Sequence, residues 1–233
     1  MTKLYWVLII IVIGLSLFLI FGQDNKKAPK NTIYELNREW KFAVKVSNSN
    51  RIDTIALKIV KNHQLGFGEK EAMWSFVGTD SLLFKNTTDT ATIEYFRIGD
   101  FDSSYVSLPS PRIQYFKMTR ALPSPIIELP VHKRYKMSVK VIEKIINDQG
   151  EFDSLAFTGK IEVVDKVFYD NPSVKDWCWV VDAVGNWTKD SVGNKSSGTY
   201  KAKYYFNEKY GFVYFYYDFN TYNIKMEPIF IKY

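Results

Sequence analysis

"KYYFNEKYGFVYFYYDF", residues 203–219, carries ten aromatic side chains in seventeen positions, and its reading decides the fold. The central "NEKYG", residues 207–211, supplies the Asn and Gly that a short loop needs. It separates two runs of Tyr, Phe and Val, the residue types that suit a pleated, half-buried surface. A five-residue turn there sets Phe206 opposite Phe212 and fixes an antiparallel hairpin outward from that pair. By this register Tyr204 faces Tyr214 and Ala202 faces Tyr216, on one uncharged face with Phe206 and Phe212. Tyr205 with Val213, Lys203 with Phe215 and Lys201 with Tyr217 fall on the other face, where Lys ammonium groups can lie over aromatic rings.

The uncharged face reads first as a core. A second reading leaves part of a Tyr and Trp lining open, as a groove for a lipid tail or a sugar ring, because hydroxyl-bearing rings combine an apolar body with a polar rim. On that reading the candidate ligand contacts are Tyr204, Phe206, Phe212, Tyr214 and Tyr216, together with Trp177 and Trp179 of "DWCWVV". Between those tryptophans lies Cys178, the single cysteine of the chain. One cysteine excludes an internal disulfide and a cysteine-built zinc site, and a thiol buried among apolar groups is inert.

The same period-2 alternation recurs in both directions from this hairpin. "WKFAVKV" sets Trp40, Phe42, Val44 and Val46 on one face, and "IDTIALKIV" does so for Ile55, Leu57 and Ile59. "YKMSVKV" alternates Tyr135, Met137, Val139 and Val141 against Lys136, Ser138 and Lys140, and the runs "LAFTGKIEVVDKVFY" and "WCWVVDAV" continue the pattern. No helix longer than about ten residues is needed after Gly22. The fold class expected is therefore mainly β: one or two curved antiparallel sheets, as a partly open barrel or a β-sandwich, plus one N-terminal apolar helix.

Residues 4–22, "LYWVLIIIVIGLSLFLIFG", form nineteen positions without a charge. As a helix they span a hydrocarbon core of about 30 Å, and they outrun the usual apolar stretch of a cleaved signal peptide. Gly22 suits a cleavage site and Ile20 does not, so a cleaved signal and a retained anchor both stay open. If uncleaved, residues 4–22 make the membrane a partner. Either way the body is expected outside the cytoplasm, in the periplasm or cell envelope, secreted or held by a single N-terminal transmembrane helix. Residues 23–31 form a short tether.

Five of the eight prolines lie between 108 and 130, and Leu-Pro-Ser-Pro occurs twice, from Leu108 and from Leu122. Pro-x-Pro is extended backbone that cannot donate to a ladder, so these segments are expected at sheet edges or crossing between sheets. The resulting organisation is a β subdomain over 32–107 and another over 108–233.

Composition excludes several classes. Aromatic residues at 17% and charged residues at 24% are not those of a disordered chain. The net charge of +6 is spread along the chain without a basic block, and with the N-terminus it speaks against nucleic acid as a partner. His63 and His132 are the only histidines and lie far apart, and no zinc spacing or Gly-x-Ser-x-Gly elbow occurs. Gly66 and Gly68 lack the further residues of a phosphate loop. No catalytic residue, metal or cofactor is expected. Glu94, Asp100, Asp102 and Asp182 could supply a carboxylate pair, but a glycosidase is defined by a separation in space. The reading is a non-enzymatic protein that binds an apolar or glycan ligand or serves in the cell envelope. The alternatives are a carbohydrate-active hydrolase and a protein-interaction module with an exposed edge strand near the Pro-x-Pro segments.

Two resemblances add to this. The tripeptides Asp53-Thr54-Ile55, Asp80-Ser81-Leu82, Asp89-Thr90-Ala91, Asp153-Ser154-Leu155 and Asp190-Ser191-Val192 resemble a periplasmic O-glycosylation signal of one Gram-negative phylum, and they equally suit strands that begin after turns. "LPSPIIELPV" with "GTYKAKYYFNEKYGFV" resembles the C-terminal half of a set of uncharacterised Gram-negative envelope proteins, over Leu122 to Tyr233. Those proteins are distantly similar to periplasmic half-barrels of the LolA/LolB lipoprotein-carrier type. That similarity implies a curved antiparallel sheet holding an acyl chain on its concave face, and it implies no catalytic residue.

Overall fold

The computed structural model describes residues 33–62, 70–77, 93–98, 105–113, 116, 118–119, 122, 124–133, 136–146, 152–191 and 194–232. The expected N-terminal helix and its tether lie outside these residues. Twelve strands form among them: β1 (Glu39–Val46), β2 (Ile52–Asn62), β3 (Lys70–Phe76), β4 (Ile93–Ile98), β5 (Tyr105–Ser107), β6 (Ile126–Glu128), β7 (Lys136–Ile146), β8 (Phe152–Asn171), β9 (Val174–Ser191), β10 (Asn194–Asn207), β11 (Gly211–Asp218) and β12 (Asn223–Lys232). The protein is mainly β, as the alternation predicts. Ten strands make one antiparallel sheet in the order β4-β3-β2-β1-β12-β11-β10-β9-β8-β7, and β5 pairs with β6 apart from it. The sheet is open, with β4 and β7 at its edges, and does not close into a barrel.

Two meanders compose this sheet, each strand pairing with its neighbour in sequence. They meet where β1 pairs with β12, from Glu39 opposite Lys232 to Val46 opposite Ile224. Residues 31–233 form one compact unit.

One face of the sheet, here called inner, is apolar. Trp40, Phe42, Val44, Ile55, Leu57, Trp74, Phe157, Ile161, Tyr200, Tyr204, Phe206, Phe212, Phe215 and Tyr217 are all buried in one cluster. A single sheet cannot dry its own face, and the cover comes from the proline-rich segment. Val106, Leu108, Ile113, Phe116, Leu122, Ile127 and Val131 belong to the same cluster. Both Leu-Pro-Ser-Pro leucines are anchors in it, and Leu108 N donates to Pro125 O at 3.1 Å. A carbonyl and a hydroxyl of the segment also take up polar atoms of the sheet: Trp74 Nε1 donates to Pro109 O at 3.0 Å, and Tyr217 Oη donates to Ser110 Oγ at 3.0 Å. Proline suits this layer because its extended backbone presents carbonyls and has no N–H to satisfy.

Glycines let large rings lie against the strands. Gly159 of β8 stands opposite Gly185 of β9, and Gly185 stands opposite Tyr200 of β10. A Cβ at Gly185 would collide with Thr158 O, and one at Gly159 with Val184 O and the Tyr200 hydroxyl. Tyr200 therefore lies across the glycine pair, while the Trp187 ring covers Gly198, whose added Cβ would stand 2.8 Å from the indole. These are aromatic rings resting on strand glycines, a device that pins register.

Two outcomes follow from this packing. Gly185→Ala meets backbone that cannot yield and is expected to cost about 3 kcal/mol, whereas Gly198→Ala meets a ring that can tilt and costs about 1 kcal/mol, both measured by urea unfolding. The second concerns alkali. Burial raises the phenols of Tyr34, Tyr204 and Tyr217 well above the ordinary value of 10.0, and it raises Tyr200 and Tyr222 to about 12. The folded state thus holds these protons more tightly than the unfolded chain, so their stabilisation is complete below pH 10 and is lost as pH rises from there towards 12. Unfolding and phenolate absorbance should appear together in that window, and buried phenols that titrate near 10 with the fold intact would contradict this.

Candidate functional site

The hairpin of β10 and β11 turns where "NEKYG" predicts, with Phe206 opposite Phe212. Gly211 adopts φ 74°, a left-handed conformation that favours glycine. Asn207 shapes the turn, its Oδ1 accepting from Lys209 N at 2.8 Å and Tyr210 N at 3.0 Å. Beyond Phe206 the expected register is corrected. A β-bulge between Tyr205 and Phe206 makes Tyr205 the partner of Tyr214 and Tyr204 the partner of Phe215. One extra residue, Val213, shifts every later residue of β11 to the opposite face. Phe215 and Tyr217 thereby become core, and Tyr214 and Tyr216 turn outward.

The seven candidate ligand contacts consequently occupy three places. Tyr204, Phe206 and Phe212 are fully buried on the covered inner face. Tyr214 and Tyr216 are half-buried on the outer face. Trp177 and Trp179 sit near the end of the β8–β9 hairpin, Trp177 exposed at 55% and Trp179 half-buried.

The outer face carries an aromatic cluster of its own. Tyr205 and Tyr214 stack with centroids 4.6 Å apart, and Tyr169 presents its edge to Tyr205 at 5.3 Å and to Tyr214 at 6.1 Å. Beneath them Val174, Cys178 and Val213 form a small buried patch. Charges rim the cluster. Lys225 Nζ lies 6.0 Å from the Tyr214 ring and pairs with Glu227 at 2.9 Å, and Lys203 pairs with Asp182 at 3.7 Å. Tyr216 is the register partner of both Lys203 and Lys225.

Burial, with smaller contributions from the Tyr205 phenol and the Glu227 carboxylate, pushes the Tyr214 phenol up to about 12. Burial and then Glu227 raise Tyr169 as well. Both hydroxyls keep their protons at neutral pH and are hydrogen-bond donors, and the buried Tyr169 Oη has no protein partner. Burial likewise lifts the Cys178 thiol to about 12, so it is no nucleophile at neutral pH. Chemically, this face can stack a ring and donate hydrogen bonds.

Of the other residues weighed in the sequence, Asp182 is the ion-paired rim carboxylate just described. Asp100, Asp102 and His63 lie outside the described residues, and so does the side chain of Glu94; His132 is exposed. Among the described residues no group of three His, Cys, Asp or Glu side chains could hold a metal ion. Of the five Asp-Ser/Thr tripeptides, those at 53–55 and 153–155 fall in strands and Asp190-Ser191 ends β9, with Thr54, Ser154 and Ser191 half-buried; those at 80–82 and 89–91, and Val192, lie outside the described residues. Two features escape sequence reading. An open polar groove of about 480 Å³ is lined by Ser154, Thr188, Lys189, Asp190, Lys195, Ser196 and Ser197. Phe168, unremarkable in "DKVFYD", stands opposite Trp177 with the two rings 5.9 Å apart. No local signal marks either, because each depends on strand pairing at a distance.

No protein-family model matches the chain, and no curated protein matches it. Solved structures do. A candidate lipoprotein from Parabacteroides distasonis ATCC 8503 superposes with a TM-score of 0.52 at 13% identity, over 85% of this chain and 96% of that one. A candidate exported protein from Bacteroides fragilis NCTC 9343, described as having a YmcC-like fold, superposes with a TM-score of 0.47 at 9% identity, over 85% of this chain and 97% of that one. The likeness to the Parabacteroides protein is one of fold.

Proposed function

We propose that this protein is a non-enzymatic, extracytoplasmic component of the cell envelope that binds a glycan on the outer tyrosine face of its sheet. The observation that carries the reading is the outer cluster of Tyr169, Tyr205 and Tyr214, with Tyr216 between Lys203 and Lys225 on the neighbouring strands, and the Lys203–Asp182 and Lys225–Glu227 pairs at its rim. Half-buried phenols offer apolar ring surface and protonated donors in one place, and ion-paired side chains at the edge offer donors and acceptors for sugar hydroxyls. The address is supported by the uncharged stretch over residues 4–22 and by the fold shared with a candidate lipoprotein.

A lipid-carrier reading is less well supported. A carrier of the half-barrel type needs an open inner face, and here that face is filled by Leu108, Phe116, Leu122 and Ile127. Hydrolysis needs one carboxylate free to protonate a leaving group, whereas Asp182 and Glu227 on the outer face are each held by a lysine.

The test is native mass spectrometry of the protein purified from its own envelope, followed by denaturing analysis of any adduct. A glycan adduct is expected. Tyr214→Ala and Tyr216→Ala should each weaken its retention about tenfold, the equivalent of about 1.4 kcal/mol for a lost stacking partner. A bare polypeptide mass, or an adduct indifferent to both substitutions, would overturn the assignment.

A further inference from the structure

The end of the β8–β9 hairpin has a construction that the tyrosine face does not explain. β9 pairs with β10 only as far as Trp179 opposite Phe206, yet the β8–β9 ladder runs on to Asn171 opposite Val174. The hairpin therefore projects past its neighbour. On the inner side of this projection stand Phe168 and Trp177, exposed at 54% and 55% and packed edge to face. Trp179 continues the row, with Lys166 Nζ 4.7 Å from its ring and its indole N–H donated to Glu208 Oε1 at 3.0 Å. Large aromatics this exposed keep apolar surface that folding leaves in water.

The projection is braced. Asn207 Nδ2 donates to Asp176 Oδ2 at 3.1 Å and to Trp177 O at 3.0 Å, tying the hairpin to the neighbouring β10–β11 turn. That turn is also where the described chain begins. Gly211 packs against Ile33 and Tyr34, Phe212 N donates to Tyr34 Oη at 3.1 Å, and Trp40 Nε1 donates to Tyr210 O at 2.9 Å. The ten residues 23–32 that precede this point reach at most about 36 Å. Behind them lies the uncharged stretch of residues 4–22. The exposed aromatic row and the first described residues, Ile33 and Tyr34, are thus at one end of the sheet.

We propose that Phe168, Trp177 and Trp179 form a membrane-contact tip that seats in the polar–apolar interface of a lipid bilayer, on the membrane to which residues 4–22 bring the chain. The proposal rests on the envelope reading above. Trp is the residue that favours this interface, having an apolar body and an N–H for the wet side. The charges about the tip are balanced: Lys175 pairs with Asp170 at 3.7 Å, and Lys166 stands near Glu208 through Trp179. Contact is therefore driven by the rings and does not require anionic lipid.

The full chain, reconstituted in phosphatidylcholine vesicles with brominated acyl chains, supplies the test. Trp177 emission, taken as the difference between the wild type and Trp177→Phe, is expected to shift to the blue and to be quenched, equally at low and high salt. Trp177→Phe changes an exposed ring, and circular dichroism is expected to show the fold intact. Quenching of Trp6 in the apolar stretch with none at Trp177 would overturn the tip and leave the anchor. Absence of quenching at both positions would overturn the tip and the membrane reading of residues 4–22 together. Quenching that collapses in high salt would replace ring insertion with charge attraction and also overturn the proposal.

Discussion

A single sheet has two faces and no means of drying either. The aromatic inner face of this sheet includes Trp40, Trp74, Tyr204, Phe215 and Tyr217, all fully buried, and a fully buried Phe contributes roughly 1.5–3 kcal/mol only when water is removed from it. Everything else in the fold depends on the layer that removes it. The segment from Tyr105 to Val131 does so with seven apolar anchors and with carbonyl and hydroxyl acceptors for Trp74 and Tyr217. Without it, these rings would face solvent on one side of a ten-stranded sheet. The Pro-rich composition then has a physical reason: a covering layer gains from presenting carbonyls and lacking N–H groups that would go unsatisfied over a hydrophobic surface.

That constraint also explains what could be read in the sequence. Alternation is a local consequence of burial on one face, so Trp40, Phe42, Val44 and Val46, and Ile55, Leu57 and Ile59, were legible as inner positions, as was the turn at residues 207–211. The bulge at Tyr205/Phe206 was not legible. Tyr, Phe and Val follow one another so densely in β11 that either parity gives an apolar face, and the choice is made by Met226 and Ile224 of β12 aligning with Phe215 and Tyr217. The role of the two Leu-Pro-Ser-Pro segments was hidden for a similar reason. Proline reports what backbone cannot do, not which surface it will cover.

For the candidate site the consequence is a division of labour among aromatics that look alike in the sequence. Ligand binding needs accessible rings, and the inner face has given its rings to stability. Tyr204, Phe206 and Phe212 are therefore not available to a ligand, while Tyr214 and Tyr216 are, solely because one extra residue in β11 reversed their side. On the outer face burial raises the Tyr214 and Tyr169 phenols, and the Asp182 and Glu227 carboxylates are ion-paired with Lys203 and Lys225.

Asn207 links these regions. Its carboxamide oxygen closes the β10–β11 turn and its nitrogen binds Asp176 and the Trp177 carbonyl. A buried amide that satisfies four partners is expensive to replace, because any smaller side chain strands several of them at about 1–3 kcal/mol apiece. The same side chain holds the bulged hairpin that turns Tyr214 outward and the projecting hairpin that carries Trp177. The tyrosine face and the aromatic tip are thus set by one polar junction next to Gly211, where Ile33 and Tyr34 pack.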